Sequence, residues 1–299
     1  MVLMVTAAGT FKAWSLNQSN PALRPLSTQF WIHKVHTSER FDMIFVGDSR
    51  IYRGIAPSEI QKKMPALSVF NFGFSSGGLN ATLLDAAERK LLGSGRKIII
   101  LGVSPNALTA TSALNEEYKE FKKLPAWPYR VPFLYLLLSP DETVWSLTHF
   151  WDKVDRKYYQ LPHEDGWVES NQVPENVNSA LDQYKKRFAK EKISKQVLKE
   201  MLERVSIWKR QGYTVFGFRP PASPAMEELE NSASGFDEQA IHAEFQNAGG
   251  IWIDIQDRYQ YKTYDGSHLN SESAKRLSAF IADYIANSIS VPVNNRTNP

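Results

Sequence analysis

Five short apolar runs, separated by stretches with helical spacing, constrain the fold of this chain more than any other feature. The runs lie at about 41–47, 67–72, 97–103, 213–218 and 251–255. Continuous apolar runs of this length, closed by glycine or polar turns, are typical of strands that are buried on both faces of a parallel sheet. Strands that alternate with helices predict an α/β fold with a central, mainly parallel five-stranded sheet.

The stretches between these runs predict the helices that cover the sheet. A proline in the first turn indicates a helix over 57–64. Apolar residues three or four apart indicate further helices over 79–92, 176–211, 226–246 and 271–288. The basic face of the helix at 176–211 is interpreted as a solvated face, with an acidic partner surface as the alternative. Together these elements predict one α/β domain over residues 41–290.

Three segments fall outside this alternation. Residues 1–40 show no clean period, and their apolar start fits either the remnant of a membrane anchor or a plain N-terminal segment. Residues 110–175 are irregular and contain four of the eight tryptophans, which predicts an aromatic-rich insertion that folds against the ligand edge of the sheet. Residues 291–299 form a polar tail.

Charge and residue types exclude several kinds of site. A formal net charge of +3 over 299 residues does not favour nucleic acid as a partner. The chain has no cysteine, which excludes disulfides, thiolate metal sites and a cysteine nucleophile. The histidines lack metal-ligand spacing and no glycine-rich phosphate loop is present, so we predict no metal, no nucleotide and no other cofactor.

A serine follows the first apolar run, and an acid and an imidazole follow the last one. The serine is Ser49, in the tripeptide GDS at 47–49, while Asp265 and His268 lie three residues apart. The carboxyl ends of parallel strands form the edge at which open α/β sheets bind ligands. A serine hydroxyl becomes a nucleophile when a histidine takes its proton and a third group orients the imidazole ring. These residues predict a Ser-His-Asp site in a hydrolase or acyltransferase.

The two motifs, GDS at 47–49 and DGSH at 265–268, resemble the first and last sequence blocks of the SGNH (GDSL-like) hydrolase superfamily. The resemblance covers about residues 41–290. It implies a three-layer α/β/α, flavodoxin-like fold with Ser49 as the nucleophile, His268 as the general base and Asp265 as its partner. It also implies ester cleavage or acyl transfer through an acyl-serine intermediate.

The middle blocks of the same family imply the groups that would stabilise an oxyanion. Backbone N–H groups of Ser49, Ser76 and Gly77 are the expected donors. In the third block a serine, Ser104, stands where the family carries an asparagine, and Asn106 follows two residues later. The third donor is therefore Asn106, Ser104 or absent. Losing one donor of this kind costs about 3 kcal/mol of transition-state stabilisation.

Two further groups of residues leave alternatives open. Arg50 and Arg219 both follow strand ends, where they are candidates to contact an anionic substrate group or to form surface or buried ion pairs. The tryptophans of 110–175 are interpreted as the core of the insertion, with a platform for sugar stacking as the alternative.

We therefore predict a serine esterase or O-acyltransferase that acts on small acyl esters, with O-acetyl groups of carbohydrate as one candidate class. The alternative is a catalytically weak or inactive protein of the same fold that binds carbohydrate or assists assembly. The GDSRIYRG stretch at 47–54 and the altered third block resemble branches that move acyl groups on bacterial cell-envelope polysaccharides. This resemblance favours an extracytoplasmic location, with membrane contact only through an N-terminal anchor. The oligomeric state is left open.

Overall fold

A computed structural model describes residues 28–127 and 158–290 of the chain. Within them the central sheet has five strands in the spatial order β2-β1-β3-β6-β7, and every neighbouring pair is parallel. A separate antiparallel hairpin, β4–β5, lies between the third and fourth strands of the sheet along the chain. The strands are β1 Met43–Gly47, β2 Val69–Gly73, β3 Ile98–Gly102, β4 Tyr158–Pro162, β5 Val168–Gln172, β6 Thr214–Phe218 and β7 Ile251–Trp252.

The helices of the described residues connect these strands and cover both faces of the sheet. They are α1 Thr28–His36, α2 Ser49–Gly54, α3 Pro57–Lys63, α4 Ala81–Glu88, α5 Glu116–Lys123, α6 Leu181–Lys190, α7 Lys195–Arg210, α8 Pro224–Ala233, α9 Glu238–Asn247 and α10 Ser271–Ser290. Two short 3₁₀ turns follow β3, and another precedes α10. None of the helices that the structure describes is long and apolar enough to cross a lipid bilayer.

Alternate side chains of each strand enter different hydrophobic cores, which makes the fold three-layered. Met43 and Phe45 of β1 face α2, α3 and α10, whereas Ile44 and Val46 face α4, α7 and α9. All five residues of β1 are buried, because the strand is central and covered on both sides. The predicted α/β/α class with a parallel five-stranded sheet is confirmed.

The strand order determines where a ligand site should form. β1 pairs with β2 on one side, with Met43 opposite Val69, and with β3 on the other, with Met43 opposite Ile98. Counting the sheet strands along the chain gives the order 2-1-3-4-5, which is that of flavodoxin-like folds. In such sheets the connections that follow β1 and β3 lead to opposite sides of the sheet, and the crevice at the β1/β3 boundary, beyond the carboxyl ends of these two strands, accepts ligands. Ser49 follows β1 at this boundary.

Two predicted helices and one strand are shorter than expected. The stretch 176–211 forms α6 and α7, because Ser194 caps a new helix with its hydroxyl. The stretch 226–246 forms α8 and α9, because Gly235 adopts a φ of 75° and Asp237 caps the second helix. Strand β7 covers two residues instead of 251–255, because its pairing with β6 is confined to Ile251 and Trp252.

Helix α1 lies within the segment 1–40, where the sequence shows no clean helical period. It is held to the domain by an aromatic cluster and by a buried lysine. Lys34 Nζ donates to the Gly166 carbonyl oxygen at 2.7 Å. The same ammonium lies 5.3–5.6 Å from the centres of four rings, those of Phe30, Trp31, Tyr52 and Phe74. Lys34 therefore joins α1 to the turn of the β4–β5 hairpin.

The hairpin is the part of the predicted insertion that packs beside the site. Trp167, the residue before β5, is buried, and its Nε1 donates to the Arg53 carbonyl oxygen in α2 at 2.9 Å. This tryptophan therefore belongs to a core, as the first interpretation of the aromatic segment expects. Trp145 and Trp151 lie outside the described residues.

Candidate active site

Ser49 is placed by the turn that ends β1 and begins α2. The Asp48 side chain caps α2, with its Oδ1 accepting the Arg50 backbone N–H at 3.0 Å. This cap makes Ser49 the first residue of the helix. Asp48 is buried, whereas Ser49 is partly exposed at the carboxyl edge of the sheet. The hydroxyl is thus fixed by buried structure and open to a ligand.

The loop before α10 brings an imidazole and a carboxylate to this serine. His268 Nε2 lies 2.8 Å from Ser49 Oγ, and His268 Nδ1 lies 2.6 Å from Asp265 Oδ2. The other carboxylate oxygen accepts the backbone N–H groups of Ser267 at 2.9 Å and His268 at 2.7 Å. Gly266 has a φ of 92° and lies so close to the Val177 carbonyl that a side chain would collide with it. The structure therefore brings together the three residues that the sequence predicted.

Burial and charge set the protonation of this pair. Burial lowers the pKa of His268, the positive charge of Arg53 lowers it further, and Asp265 opposes both. Burial by itself would raise the pKa of Asp265, but its hydrogen bonds and the charge of His268 leave that pKa below the ordinary value. At neutral pH the pair is therefore a neutral imidazole beside a carboxylate, which is the state of a general base and its orienting group.

Two of the three predicted backbone donors have no competing acceptor. Within the described residues, the backbone N–H groups of Ser49 and Ser76 donate to no other group. Ser76 has a φ of 47°, a left-handed conformation that is uncommon for a residue other than glycine. The predicted donor role of Gly77 does not fit, because its N–H donates to the Phe74 carbonyl oxygen at 3.0 Å. Gly77 is instead required by its close approach to Gly47, whose carbonyl oxygen would lie 2.5 Å from an added Cβ.

The two candidates for the third donor both contact Asp48. Ser104 Oγ donates to Asp48 Oδ2 at 2.5 Å, and Asn106 Nδ2 donates to the same oxygen at 3.3 Å. Asn106 Oδ1 accepts from Arg187 Nη1. These contacts support the capping aspartate beside Ser49, so in this structure both side chains act on the site through Asp48.

Arg50 and Arg219 form a buried ion-pair network, which was the alternative to substrate contact. Arg50 Nη2 lies 2.6 Å from Glu230 Oε1, and Arg219 Nη2 lies 3.0 Å from Glu230 Oε2. The three side chains are at most 2% exposed. Arg50 Nε also donates to Ser267 Oγ at 3.1 Å. Direct substrate contact does not fit this burial, and Arg50 instead ties the loop of His268 to the helix of Ser49.

The structure adds residues around the triad that the sequence analysis did not assign. The Tyr264 ring is stacked on that of His268, with ring centres 5.9 Å apart and planes 20° apart. Arg53 Nη1 donates to the Tyr264 hydroxyl at 2.6 Å. Arg53 stands four residues after Ser49 in a helix and therefore on the same side of it, a spacing that could have identified it. No sequence signal indicates the contact of Arg187 with Asn106.

Comparison with known proteins gives structural likenesses only. No protein-family model matches the chain, and no curated protein matches it. Among solved structures, a carbohydrate acetylesterase from Sinorhizobium meliloti is 12% identical, with 84% of this chain and 100% of that chain covered and a TM-score of 0.38. Another carbohydrate acetylesterase family member from the same organism is 10% identical, with 83% and 99% covered and a TM-score of 0.37.

An aryl esterase from M. smegmatis, in an inhibitor-bound form, is 10% identical, with 84% of this chain and 99% of that chain covered and a TM-score of 0.36. These neighbours are esterases, the class of enzyme that the sequence resemblance implies for its members. The TM-scores are too low to transfer an activity to this chain, so its functional assignment depends on the geometry of its own site.

Proposed function

We propose that this chain is a serine esterase or O-acyltransferase of the SGNH type that forms an acyl-serine at Ser49. The observation that carries the proposal is the hydrogen-bonded series from Ser49 Oγ through the His268 ring to Asp265, with distances of 2.8 and 2.6 Å. Ser49 and His268 are both partly exposed residues, as a site that admits a substrate requires. If Ser49 only served to begin helix α2, it would need neither the neutral imidazole of His268 nor the carboxylate of Asp265.

In the proposed mechanism His268 Nε2 takes the proton of Ser49 Oγ as that oxygen attacks the ester carbonyl carbon. Asp265 stabilises the imidazolium that forms and holds Nδ1 protonated. The carbonyl oxygen becomes an oxyanion, for which the backbone N–H groups of Ser49 and Ser76 are the proposed donors. His268 then gives its proton to the leaving alcohol, and the ester bond breaks to leave the acyl group on Ser49.

The second half-reaction decides between hydrolysis and transfer. His268 takes a proton from water or from an acceptor hydroxyl, whose oxygen attacks the acyl-serine carbonyl carbon. Collapse of that intermediate returns the proton to Ser49 Oγ and releases either a carboxylic acid or a new ester. We propose small acyl esters as substrates, with O-acetyl groups of carbohydrate as the first class to screen.

Intact-mass analysis after exposure to a serine-directed fluorophosphonate tests the nucleophile. We expect one adduct on the wild-type protein and none on Ser49→Ala. Ser58→Ala is the matched control, because Ser58 is an exposed serine in a neighbouring helix, and it should keep the adduct. A folded wild-type protein that gains no adduct would contradict the proposal. Release of acetate from acetylated sugars, with and without added acceptor sugars, then separates hydrolysis from transfer.

A second candidate function is a carbohydrate-binding protein that keeps the fold without turnover. The observation that favours it is the engagement of both third-donor candidates by Asp48, which leaves the oxyanion fewer side-chain donors. Binding of acetylated sugars by a wild-type protein that neither reacts with the fluorophosphonate nor releases acetate would select this candidate. The 2.8 Å contact between serine and histidine favours the enzyme.

A further inference from the structure

Arg53 and Arg187 differ from the other sheltered arginines of the described residues in lacking a carboxylate partner. Four arginines that are buried or half-buried contact carboxylates: Arg50, Arg204, Arg219 and Arg258. Arg53 and Arg187 are half-buried and contact none. Both touch residues of the candidate site, Arg53 through Tyr264 and Arg187 through Asn106. An arginine that is sheltered from water retains its charge, so it is stabilised when an anion neutralises it.

The direct contacts of Arg53 are with aromatic residues, and although the charge of Glu117 acts on it, no carboxylate of the described residues forms an ion pair with it. Its Nε donates to the Tyr52 hydroxyl at 3.0 Å and its Nη1 to the Tyr264 hydroxyl at 2.6 Å, while Nη2 donates to no described residue. The guanidinium also lies 5.2 Å from the centre of the Tyr52 ring. Burial raises the pKa of Tyr52 to about 12, and burial also raises the pKa of Tyr264, so both hydroxyls stay neutral at pH 7.

The position of Arg53 relates this charge to the reacting groups. It lies one helical turn after Ser49 in α2, and residues four apart share a helix side. Through the Tyr264 hydroxyl it adjoins the ring that stacks on His268. The guanidinium is therefore anchored at two of its nitrogens, its third nitrogen stays unused, and its charge acts on His268. Arg187, which contacts Asn106, is a second arginine at the candidate site that forms no ion pair within the described residues.

We propose that Arg53 binds an anionic oxygen group of the substrate, so that the ester acted on belongs to an acidic molecule such as a uronic acid or a sulfated or phosphorylated sugar. The planar fork of an arginine matches the oxygens of carboxylate, sulfate and phosphate groups. That the substrate is an ester rests on the proposed function, and that it is acidic rests on the contacts of Arg53. It makes Arg53 a specificity-determining residue.

Matched acetate esters test the preference. The substrates are mono-O-acetylated methyl glucoside, methyl glucuronoside and methyl glucoside 6-sulfate, which differ in the group at one carbon, and acetate release is measured. We expect kcat/KM for one or both acidic esters to exceed that for the neutral ester by about 10-fold or more, since a charged hydrogen bond contributes that much. The gain should lie mainly in KM and should shrink as salt screens the charge. The two acidic substrates distinguish carboxylate from sulfate recognition.

Variants of Arg53 attribute the preference to this side chain. Arg53→Gln should bring the acidic-to-neutral ratio of kcat/KM close to one, and Arg53→Lys, which keeps the charge but not the fork, should retain part of it. Arg40→Gln is the matched control, because Arg40 is an exposed arginine that donates only to the backbone carbonyls of Ser38 and Glu39. It should leave the ratio unchanged. Equal rates on the three esters, or a preference that survives Arg53→Gln, would overturn the inference.

Binding to the Ser49→Ala protein separates this inference from the proposed function. Calorimetric titration with the same three sugars measures affinity without turnover. Tighter binding of an acidic sugar, lost in the double variant with Arg53→Gln, supports the anion site even when the wild-type protein shows no esterase activity. Turnover of acetate esters with no preference in rate or affinity supports the esterase and rejects the anion site.

Discussion

His268 is the single residue whose protonation decides the proposed chemistry. Burial and the nearby Arg53 lower the pKa of its imidazole, although Asp265 opposes them. Only the neutral imidazole accepts the serine proton, so kcat/KM should rise with pH through a value below the ordinary histidine pKa of about 6.5. A pH profile on a neutral acetate ester measures this limb. In Arg53→Gln the limb should move to higher pH, and a limb at or above pH 6.5 in the wild-type protein would contradict the assignment.

Asp265 allows a test that changes charge with little change in shape. In Asp265→Asn the amide cannot stabilise an imidazolium and favours the wrong tautomer of His268. We expect kcat to fall by about 10,000-fold while the unfolding midpoint in urea changes little. Asp254→Asn serves as control, because Asp254 is an exposed aspartate that follows β7, and its kcat should stay within about twofold of wild type. A comparable loss in both variants would remove Asp265 from the proposed triad.

The sequence was sufficient to identify Ser49, Asp265 and His268 as neighbours in one site, but it did not predict the contacts that surround them. Ser49, Asp265 and His268 were found because each follows a predicted strand and belongs to a recognisable motif. Gly77 was assigned a donor role that its hydrogen bond to Phe74 occupies. The sequence could not predict the contact of Arg50 with Glu230, because the two residues lie 180 positions apart along the chain and no local pattern connects them.

Between elements, the strongest polar connection is the network around Glu230 of α8. Its two carboxylate oxygens contact Arg50 of α2 and Arg219 after β6. Removing one member of a buried ion pair leaves an uncompensated charge, at a cost of about 3–5 kcal/mol. Glu230→Gln should therefore lower the free energy of unfolding by roughly that amount in urea denaturation.

The matched control for this network is an exposed pair. Asp283 contacts Lys63 with side chains 57% and 49% exposed, so Asp283→Asn should change stability by no more than about 1 kcal/mol. Glu230→Gln should also slow labelling of Ser49 by the fluorophosphonate, because Arg50 connects the helix of Ser49 to the loop of His268. If both variants were equally stable, the ion pairs of Glu230 would not stabilise the fold as proposed.

Strands could be predicted where burial on both faces produces a continuous apolar run. The strands β1, β2, β3 and β6 are buried on both faces, so their apolar runs identify them within one or two residues. The breaks within 176–211 and 226–246 were missed, because helical spacing continues across them while local caps at Ser194 and Asp237 end one helix and begin the next. Helix α1 was missed because its apolar residues contact rings from distant parts of the chain.

For the whole molecule, the buried Lys34 predicts how stability depends on pH. Burial lowers its pKa well below the ordinary value of 10.5, so the unfolded chain binds a proton that the folded chain has lost between those two pKa values. Stability should therefore rise with pH across that window, by at most ~1.4 kcal/mol per pH unit for one proton. Lys90, whose pKa burial lowers to about 8, adds to the slope.

Urea denaturation at a series of pH values from 7 to 9 measures this slope. Lys34→Met should reduce it, because the variant has no proton to exchange at this position. Lys62→Met, which replaces a lysine that is 68% exposed, should keep the wild-type slope. A slope that is the same in all three proteins would mean that Lys34 keeps its proton in the folded state throughout this range, which would contradict the lowered pKa.

Ser49 and His268 lie 219 residues apart, one directly after the first strand of the sheet and the other just before α10. Ribosomes deliver the first long before the second, so the serine of a growing chain has no base beside it. The contact between Ser49 and His268 can form only when residues near 270 have left the exit tunnel and the sheet has folded. The arrangement therefore delays assembly of the candidate site until synthesis of the domain is nearly complete.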